Sequence, residues 1–346
     1  MESCPTQAVL PLVGLAAEKV IRDWYNMRCV ALLSSGLDSQ LAVRLMLQQG
    51  IQVEAVHVRT LFTHDRDRTA EVANELAVPL TVLDQDDEYL DIVRSPRFGR
   101  GGGMNPCIDC RIYMVRRAFA FMNEINAQFV VSGEVVGQRP MSQKRRDLET
   151  ISHHGGCFDV LLRPLSAKNL PPTRPEREGW VDRSKLYGFA GRGRRPLIKL
   201  ARSLGMRTIP SPSSGCLLTD KHFSHKVFDL LRHQPSNGAW DFELLKHGRH
   251  FRYDDGVKVV LGRREEENRV LEYLHALPDA TSSALVKPDD FRGPAGLIVG
   301  PTSEGALRFA RGLLLRYAKR NTADGNRVYV ALRDGMRYVN AEPNDG

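Results

Sequence analysis

The chain has 346 residues, 42% of them hydrophobic and 7% aromatic, with 49 Lys and Arg against 41 Asp and Glu, a formal net charge of +8. That length exceeds one typical core and predicts two or three domains. No apolar run of about 18 residues occurs, so no membrane span is expected. The basic excess permits a polyanionic partner. Six cysteines without secretory features predict a reducing, cytoplasmic setting with reactive or metal-binding thiols.

Residues 1–26 include the mostly apolar run Val9 to Ala17, with no basic region before it. They read as an N-terminal extension rather than a signal peptide. Val30 to Leu33 is a short apolar run, followed by the polar turn Ser34-Ser35-Gly36-Leu37-Asp38-Ser39. Leu41, Ala42, Leu45 and Met46 then recur at helical spacing. Strand, tight loop and helix in this order aim backbone N–H groups and hydroxyls at one point, beside the positive end of a helix dipole. No lysine follows, so this is not the Gly-Lys-Ser/Thr phosphate loop. Leu41–Gln49 is the first helix, stopped by Gly50. Ile51–Val58 is a strand, Asp67–Leu76 a helix and Leu80–Leu83 a third strand. This alternation predicts an α/β fold with a doubly wound parallel sheet, whose ligands bind at the carboxyl ends of strands. His57, Arg59 and Thr60 close the second strand, where they are candidates to border a base or ribose.

A glycine-rich loop over residues 99–106 leads into Cys107-Ile108-Asp109-Cys110 and a basic amphipathic helix to about Glu124. Phe129–Ser132 is a strand ending at Gly133-Glu134, with Gly137-Gln138 and Ser142-Gln143 beyond it. Residues 161–176 close the edge of the sheet. Lys144-Arg145-Arg146 and Arg192-Gly193-Arg194-Arg195 are basic runs that could hold phosphates. Ile198–Leu204 is a helix with Gly205 as its cap, and residues 210–216 form a Ser/Pro loop ending in Cys216. From His250 the pattern changes to glycine-bounded strands, Phe251–Tyr253, Val257–Leu261, Gly296–Val299 and Val328–Leu332. Helices Glu265–Leu274 and Glu304–Tyr317 lie between them. This is a smaller α+β module of about 100 residues, able to bury its own core. The expected domains are therefore 27–225 and 226–346, after the 1–26 extension.

Cys107 and Cys110 open a helix, where the dipole favours anions. With Cys216 they make three thiols, short of a four-thiolate zinc site. Three thiolates suit a [4Fe–4S] cluster with one open iron. They also suit a persulfide with a resolving thiol, but that chemistry needs only two cysteines and leaves Cys107 without work, which favours the cluster. Cys4, Cys29 and Cys157 read as ordinary reduced cysteines.

The hexapeptide 34–39 resembles the pyrophosphate loop of the N-type ATP pyrophosphatases, a PP-loop ATPase fold of the adenine nucleotide alpha hydrolase kind. Ser35 stands where that loop usually has glycine. The resemblance implies ATP and Mg²⁺, with Leu33, Ser34, Ser35, Gly36, Leu37, Asp38, Ser39, His57 and Gly133 around the nucleotide and Asp38 near the metal or pyrophosphate. Asn105-Pro106-Cys107-x-x-Cys110 looks like the cysteine motif of the tRNA 2-thiouridylases. Gly133-Glu134-x-x-Gly137-Gln138, ending in Ser142-Gln143, resembles a segment of the tRNA 4-thiouridine synthetases. Gly215-Cys216-Leu217-Leu218-Thr219 sits where such enzymes carry their second catalytic cysteine. Together these imply an ATP-dependent tRNA sulfurtransferase. Its reactive pair would be Cys110 and Cys216, with Cys107 added as in the cluster-dependent thiolases, and its sulfur would come from a donor protein or sulfide. His250-Phe251-Arg252, the stretch Lys258 to Arg263, and Glu266-Glu267-Asn268 resemble the RNA-binding domain of the NFACT proteins. That implies phosphate contacts from Lys258, Arg263 and Arg264. An ATP pyrophosphatase acting on a small molecule, a non-catalytic RNA-binding protein and a metal-regulated RNA-binding module are the other readings.

Overall fold

The first half of the chain holds five short strands, β1 (Arg28–Leu32), β2 (Gln52–Arg59), β3 (Leu80–Asp84), β4 (Phe129–Val131) and β5 (Leu161–Leu162), of which the central β1 and β4 are apolar and buried on both faces. Strands buried on both faces belong in a parallel sheet covered by helices. The computed structural model, which describes residues 27–63, 68–211, 215–319, 325–333 and 335–342, has that sheet in the order β3-β2-β1-β4-β5, all parallel. The extension 1–26 lies outside the described residues. Ala31 is in register with Ala55 of β2 and Val131 of β4. The chain leaves β1 toward β2 and β3, then crosses back to place β4 on the other side of β1. The crevice between the carboxyl ends of β1 and β4 is therefore the switch point of the sheet, where such folds bind ligands. The loops 34–39 and 133–143 both start there.

The second unit begins after residue 215 and takes in residues 102–105. Met104 N–H donates to the Leu218 carbonyl at 3.1 Å and to Ser224 Oγ at 3.2 Å, which ties that short stretch to it. The expected boundary at 225/226 falls inside the helix Lys221–His233. That helix belongs to the second unit, because Lys226 Nζ donates to the Leu245 carbonyl at 2.8 Å. The sheet here is antiparallel, of β6 (Arg249–Arg252), β7 (Lys258–Leu261), β8 (Ser282–Pro288), β9 (Gly296–Val299), β10 (Arg327–Leu332) and β11 (Gly335–Asn340). Their order is β11-β10-β8-β9-β7-β6. Alternate residues feed two cores. Val259, Val286, Ile298 and Val330 meet Leu307, Ala310 and Leu314 of the helix Glu304–Tyr317. Val260, Leu285 and Leu297 meet Trp240, Leu271 and Leu274 from the helices Ala239–Leu244 and Glu265–Ala276. Each such large side chain contributes about 1.5–3 kcal/mol on burial. The Trp240 indole also donates to the Leu274 carbonyl at 2.8 Å, so the ring's one polar atom is satisfied.

Candidate active site

The 34–39 turn is shaped by Ser39. Its hydroxyl is buried, accepts from Ser34 N–H at 3.1 Å and lies 3.0 and 3.1 Å from the carbonyls of Ser34 and Gly36. Gln40 Nε2 donates to the Ser35 carbonyl at 3.2 Å. The sequence reading aimed this hydroxyl at a ligand; the structure uses it to hold the loop closed. Leu33 and Leu37 are core residues, so only their backbone can face a ligand. His57 is buried, with Nδ1 3.1 Å from the Leu33 carbonyl, and braces the start of the turn. The helix Leu37–Leu47 starts at Gly36 with no side-chain cap, and the N–H groups of a first turn have no acceptor within the helix. Ser35 in place of glycine causes no strain: the described non-glycine residues with positive φ are Ala77 and Asn126.

Across the crevice, Gly133 touches this turn. A Cβ at Gly133 would lie 2.5 Å from the carbonyl carbon and oxygen of Asp38 and from Ser39 N. No side chain fits between two backbones that close. Glu134 next to it is 2% exposed. Its Oε2 accepts from Arg163 Nε at 2.9 Å and Ser132 Oγ at 3.0 Å, and Arg111 Nε lies 3.7 Å from Oε1. Burial works against its charge, but Arg163, Arg111 and these hydrogen bonds hold the carboxyl below its usual range. Arg163 donates on to Ser152 Oγ and the Leu148 carbonyl. Glu134 is thus the brace of the loop. Gln143 folds the rest of it: its carbonyl accepts from Gly137 N–H at 2.6 Å and its Oε1 from Arg139 N–H at 3.1 Å.

This scaffold gathers charge around Asp38. Burial raises the Asp38 pKa, opposed by a side-chain hydrogen bond from Gln138 and by Arg139, Arg194 and Arg111. Those arginines come from three separate stretches. Arg111 lies on the helix Cys107–Glu124, Arg139 in the loop after β4, and Arg194 in the basic loop, where its Nη2 donates to the Pro210 carbonyl at 2.9 Å. The basic loop is docked there by Gly191 N–H donating to the Val136 carbonyl at 2.8 Å. Arg139 feels Arg111, Asp38, Cys107 and Glu134 together; desolvation and Arg111 lower its pKa. The sequence reading named Arg194 only as one of a basic run and gave Arg139 no role.

Cys107 and Cys110 open their helix as expected, and the buried Tyr89 donates its hydroxyl to Cys110 Sγ at 3.3 Å. Cys216 begins the second unit, just before the turn Leu217–Thr219. Among the described residues of either unit, no three His, Cys, Asp or Glu side chains gather as a metal site. Cys29 and Cys157 are buried. Burial pushes the Cys157 thiol up to about 12 and the Cys29 thiol higher still, as suits inert packing cysteines.

In the second unit the expected phosphate contacts divide. Lys258 is 3% exposed and its Nζ lies 3.3 Å from Asp229, which also takes Arg252 at 2.6 Å. That assignment is corrected: a buried ammonium already paired with a carboxylate is not a phosphate contact. Arg263 is tethered to the Gly248 carbonyl at 2.7 Å and lies 3.7 Å from Glu267, and Arg264 is exposed. The glycine and asparagine of this stretch serve packing. Asn268 Oδ1 accepts from Ala295 N–H at 3.0 Å, and a Cβ at Gly262 would lie 2.1 Å from it.

Residues 25–169 match the family model described as Thiamine biosynthesis protein (ThiI), and residues 248–343 match the NFACT protein RNA binding domain. A tRNA-specific 2-thiouridylase MnmA of Syntrophotalea carbinolica is 31% identical over 31% of this chain and 34% of its own length. A probable tRNA sulfurtransferase of Thermococcus kodakarensis is 28% identical over 49% and 44%. A 4-thiouridine synthetase solved with RNA and ATP aligns at 20% identity and a TM-score of 0.37, covering 52% of this chain and 41% of the other. The matches span 34% to 59% of the lengths of the curated relatives. The chain thus joins a ThiI-like parallel α/β domain to a region similar to the NFACT RNA-binding domain.

Proposed function

We propose that this chain is a cytoplasmic ATP-dependent tRNA sulfurtransferase. One observation carries the reading: three arginines and Asp38 converge at the switch point of the sheet, within electrostatic reach of Cys107. Arginines of this kind stabilise the charge of a transferring phosphoryl group. Gln138 Oε1 is buried with no hydrogen-bond partner among the described residues, so it is available to a hydroxyl or amine of the nucleotide.

In the proposed reaction a base carbonyl oxygen, of a uridine, attacks the α-phosphorus of ATP. The new O–P bond forms as the bond to pyrophosphate breaks. Arg111, Arg139 and Arg194 hold the phosphates, and the first-turn N–H groups of the helix Leu37–Leu47 donate to them. Asp38, its pKa raised by burial, is the one carboxylate that would face Mg²⁺ brought in by the nucleotide, and the ion would neutralise the triphosphate. Sulfur carried on Cys110 as a persulfide then attacks the activated carbon, and AMP leaves with the original oxygen. Cys216 is assigned as the thiolate that takes Cys110 Sγ into a disulfide, on its resemblance alone; a cellular thiol would reduce that disulfide. In the alternative reading, Cys107, Cys110 and Cys216 would hold a [4Fe–4S] cluster with one open iron. The NFACT-like region is the proposed holder of tRNA, and Cys110 takes its outer sulfur from the persulfide of a donor protein, whose thiol leaves.

Nucleoside mass spectrometry of tRNA from cells with and without the protein tests this reading. One thiolated nucleoside should disappear without it. An unchanged set of thiolated nucleosides would reject thiolation of tRNA.

A further inference from the structure

The face of the antiparallel sheet that carries Leu285 and Leu297 is only half covered. The helix Glu265–Ala276 packs over β8 and β9 through Leu271 and Leu274, and its Glu272 reaches sideways to Lys287 of β8 at 2.8 Å. Beyond Lys287 no described helix packs on this face of β10 and β11. The register fixes what lies on this bare strip. Tyr329 is opposite both Lys287 and Tyr338, Ala331 is opposite Leu285 and Met336, and Arg327 is opposite Asn340. Val328 and Val330, the alternate residues, go to the core on the other side.

The strip presents large flat side chains to water. Tyr338 is 56% exposed and Met336 68%. The Tyr329 and Tyr338 rings meet edge to face with centroids 5.6 Å apart. The Arg327 guanidinium lies 5.7 Å over the Tyr338 ring and is held by Asp289. The exposed Tyr338, set beside the half-buried Tyr329 and flanked by Arg327 and Lys287, offers a stacking face next to cations. Aromatic sheet faces with neighbouring basic groups bind unpaired bases by stacking, with the cations on the phosphates. A duplex hides its base faces and could not use Tyr338.

We infer that the bare β10–β11 strip, centred on Tyr338 with Tyr329, Met336, Arg327 and Lys287, is a stacking platform for unpaired RNA bases. The inference rests on the proposal that this chain acts on RNA, and it moves the contact surface of the second unit away from Lys258.

The test is fluorescence anisotropy of the full-length protein with a labelled single-stranded RNA oligonucleotide and, separately, a tRNA transcript. Tyr338→Ala should weaken oligonucleotide binding about tenfold or more. Tyr338→Phe, which keeps the ring, should bind within about twofold of the parent. Arg327→Ala should lower the slope of log K against log salt by about one. If the parent binds neither RNA at low salt, the RNA reading itself fails. If the parent binds tRNA and Tyr338→Ala binds as tightly, this platform alone is overturned. A dimer that Tyr338→Ala dissociates without loss of RNA binding would give the strip to a second copy, and would also overturn it.

Discussion

Arg111, Arg139 and Arg194 in the first unit reach one point from a helix, a strand-end loop and a surface loop. Two carboxylates lie among them, Asp38 and the buried Glu134, and Glu134 is shared with Arg163. In the second unit Lys258 and Arg252 also meet one carboxylate, Asp229, at 3.3 and 2.6 Å, but the group is folded into the flank of the sheet. Lys258 keeps a lowered pKa, mainly through desolvation. Both regions are basic in sequence and both sit in stretches that resemble family signatures. One leaves positive charge facing a crevice; the other spends it on an internal ion pair. A basic residue buried together with a carboxylate of its own does not announce an anion site.

That contrast can be broken first at its brace. Glu134→Gln leaves Arg163 buried without its counter-charge and should destabilise the first unit by about 3–5 kcal/mol at neutral pH, measured by urea unfolding. Because the folded pKa of Glu134 is depressed, its contribution is complete above the unfolded value near 4.5 and is lost as pH falls through the folded value. The gap between parent and variant should therefore close in acid. Equal stability at pH 7 would show that Glu134 does not hold the loop. Gly133→Ala comes next. Its methyl would force apart backbones that now allow no Cβ, with an expected loss of about 10²-fold in ATP turnover and about 1–3 kcal/mol of stability. Normal turnover would mean the two loops can separate freely.

Arg139→Ala removes one charge from the convergence and should slow pyrophosphate release about 10- to 10²-fold with little change in melting temperature. A loss of RNA affinity with normal pyrophosphate release would instead place Arg139 on the RNA. The smallest effect is expected at Lys258. Lys258→Met leaves Asp229 paired with Arg252, so RNA affinity should stay within about twofold of the parent. A tenfold loss with the fold intact would restore Lys258 as a phosphate contact and erase the contrast between the two units.

What the sequence revealed was local. The run Val30 to Leu33, the polar turn and the Leu41/Leu45 spacing lie within twenty residues, so strand, loop and helix were legible together. So were Gly296–Val299 and Glu304–Tyr317, found with the bounds expected. β8 escaped because its first residues are serines, and β11 because Gly335–Asn340 is exposed and lacks an apolar alternation. The arginine convergence could not be read, since residues 111, 139 and 194 become neighbours only once the β4 loop and the basic loop dock. Lys258 misled for the same reason: its partner Asp229 is 29 residues away. Gly133 was named as a nucleotide neighbour, and its close approach to the Asp38–Ser39 backbone is something no single stretch displays.

The proposed activity of the Asp38 crevice is cleavage of ATP between its α- and β-phosphates in response to tRNA. Purified protein should be given ATP labelled at the α-phosphate, with and without tRNA, and the products separated. The expected result is AMP and pyrophosphate, formed faster with tRNA and lost in a folded Asp38→Ala variant. ADP and phosphate as products, or AMP formation that persists in Asp38→Ala, would contradict it.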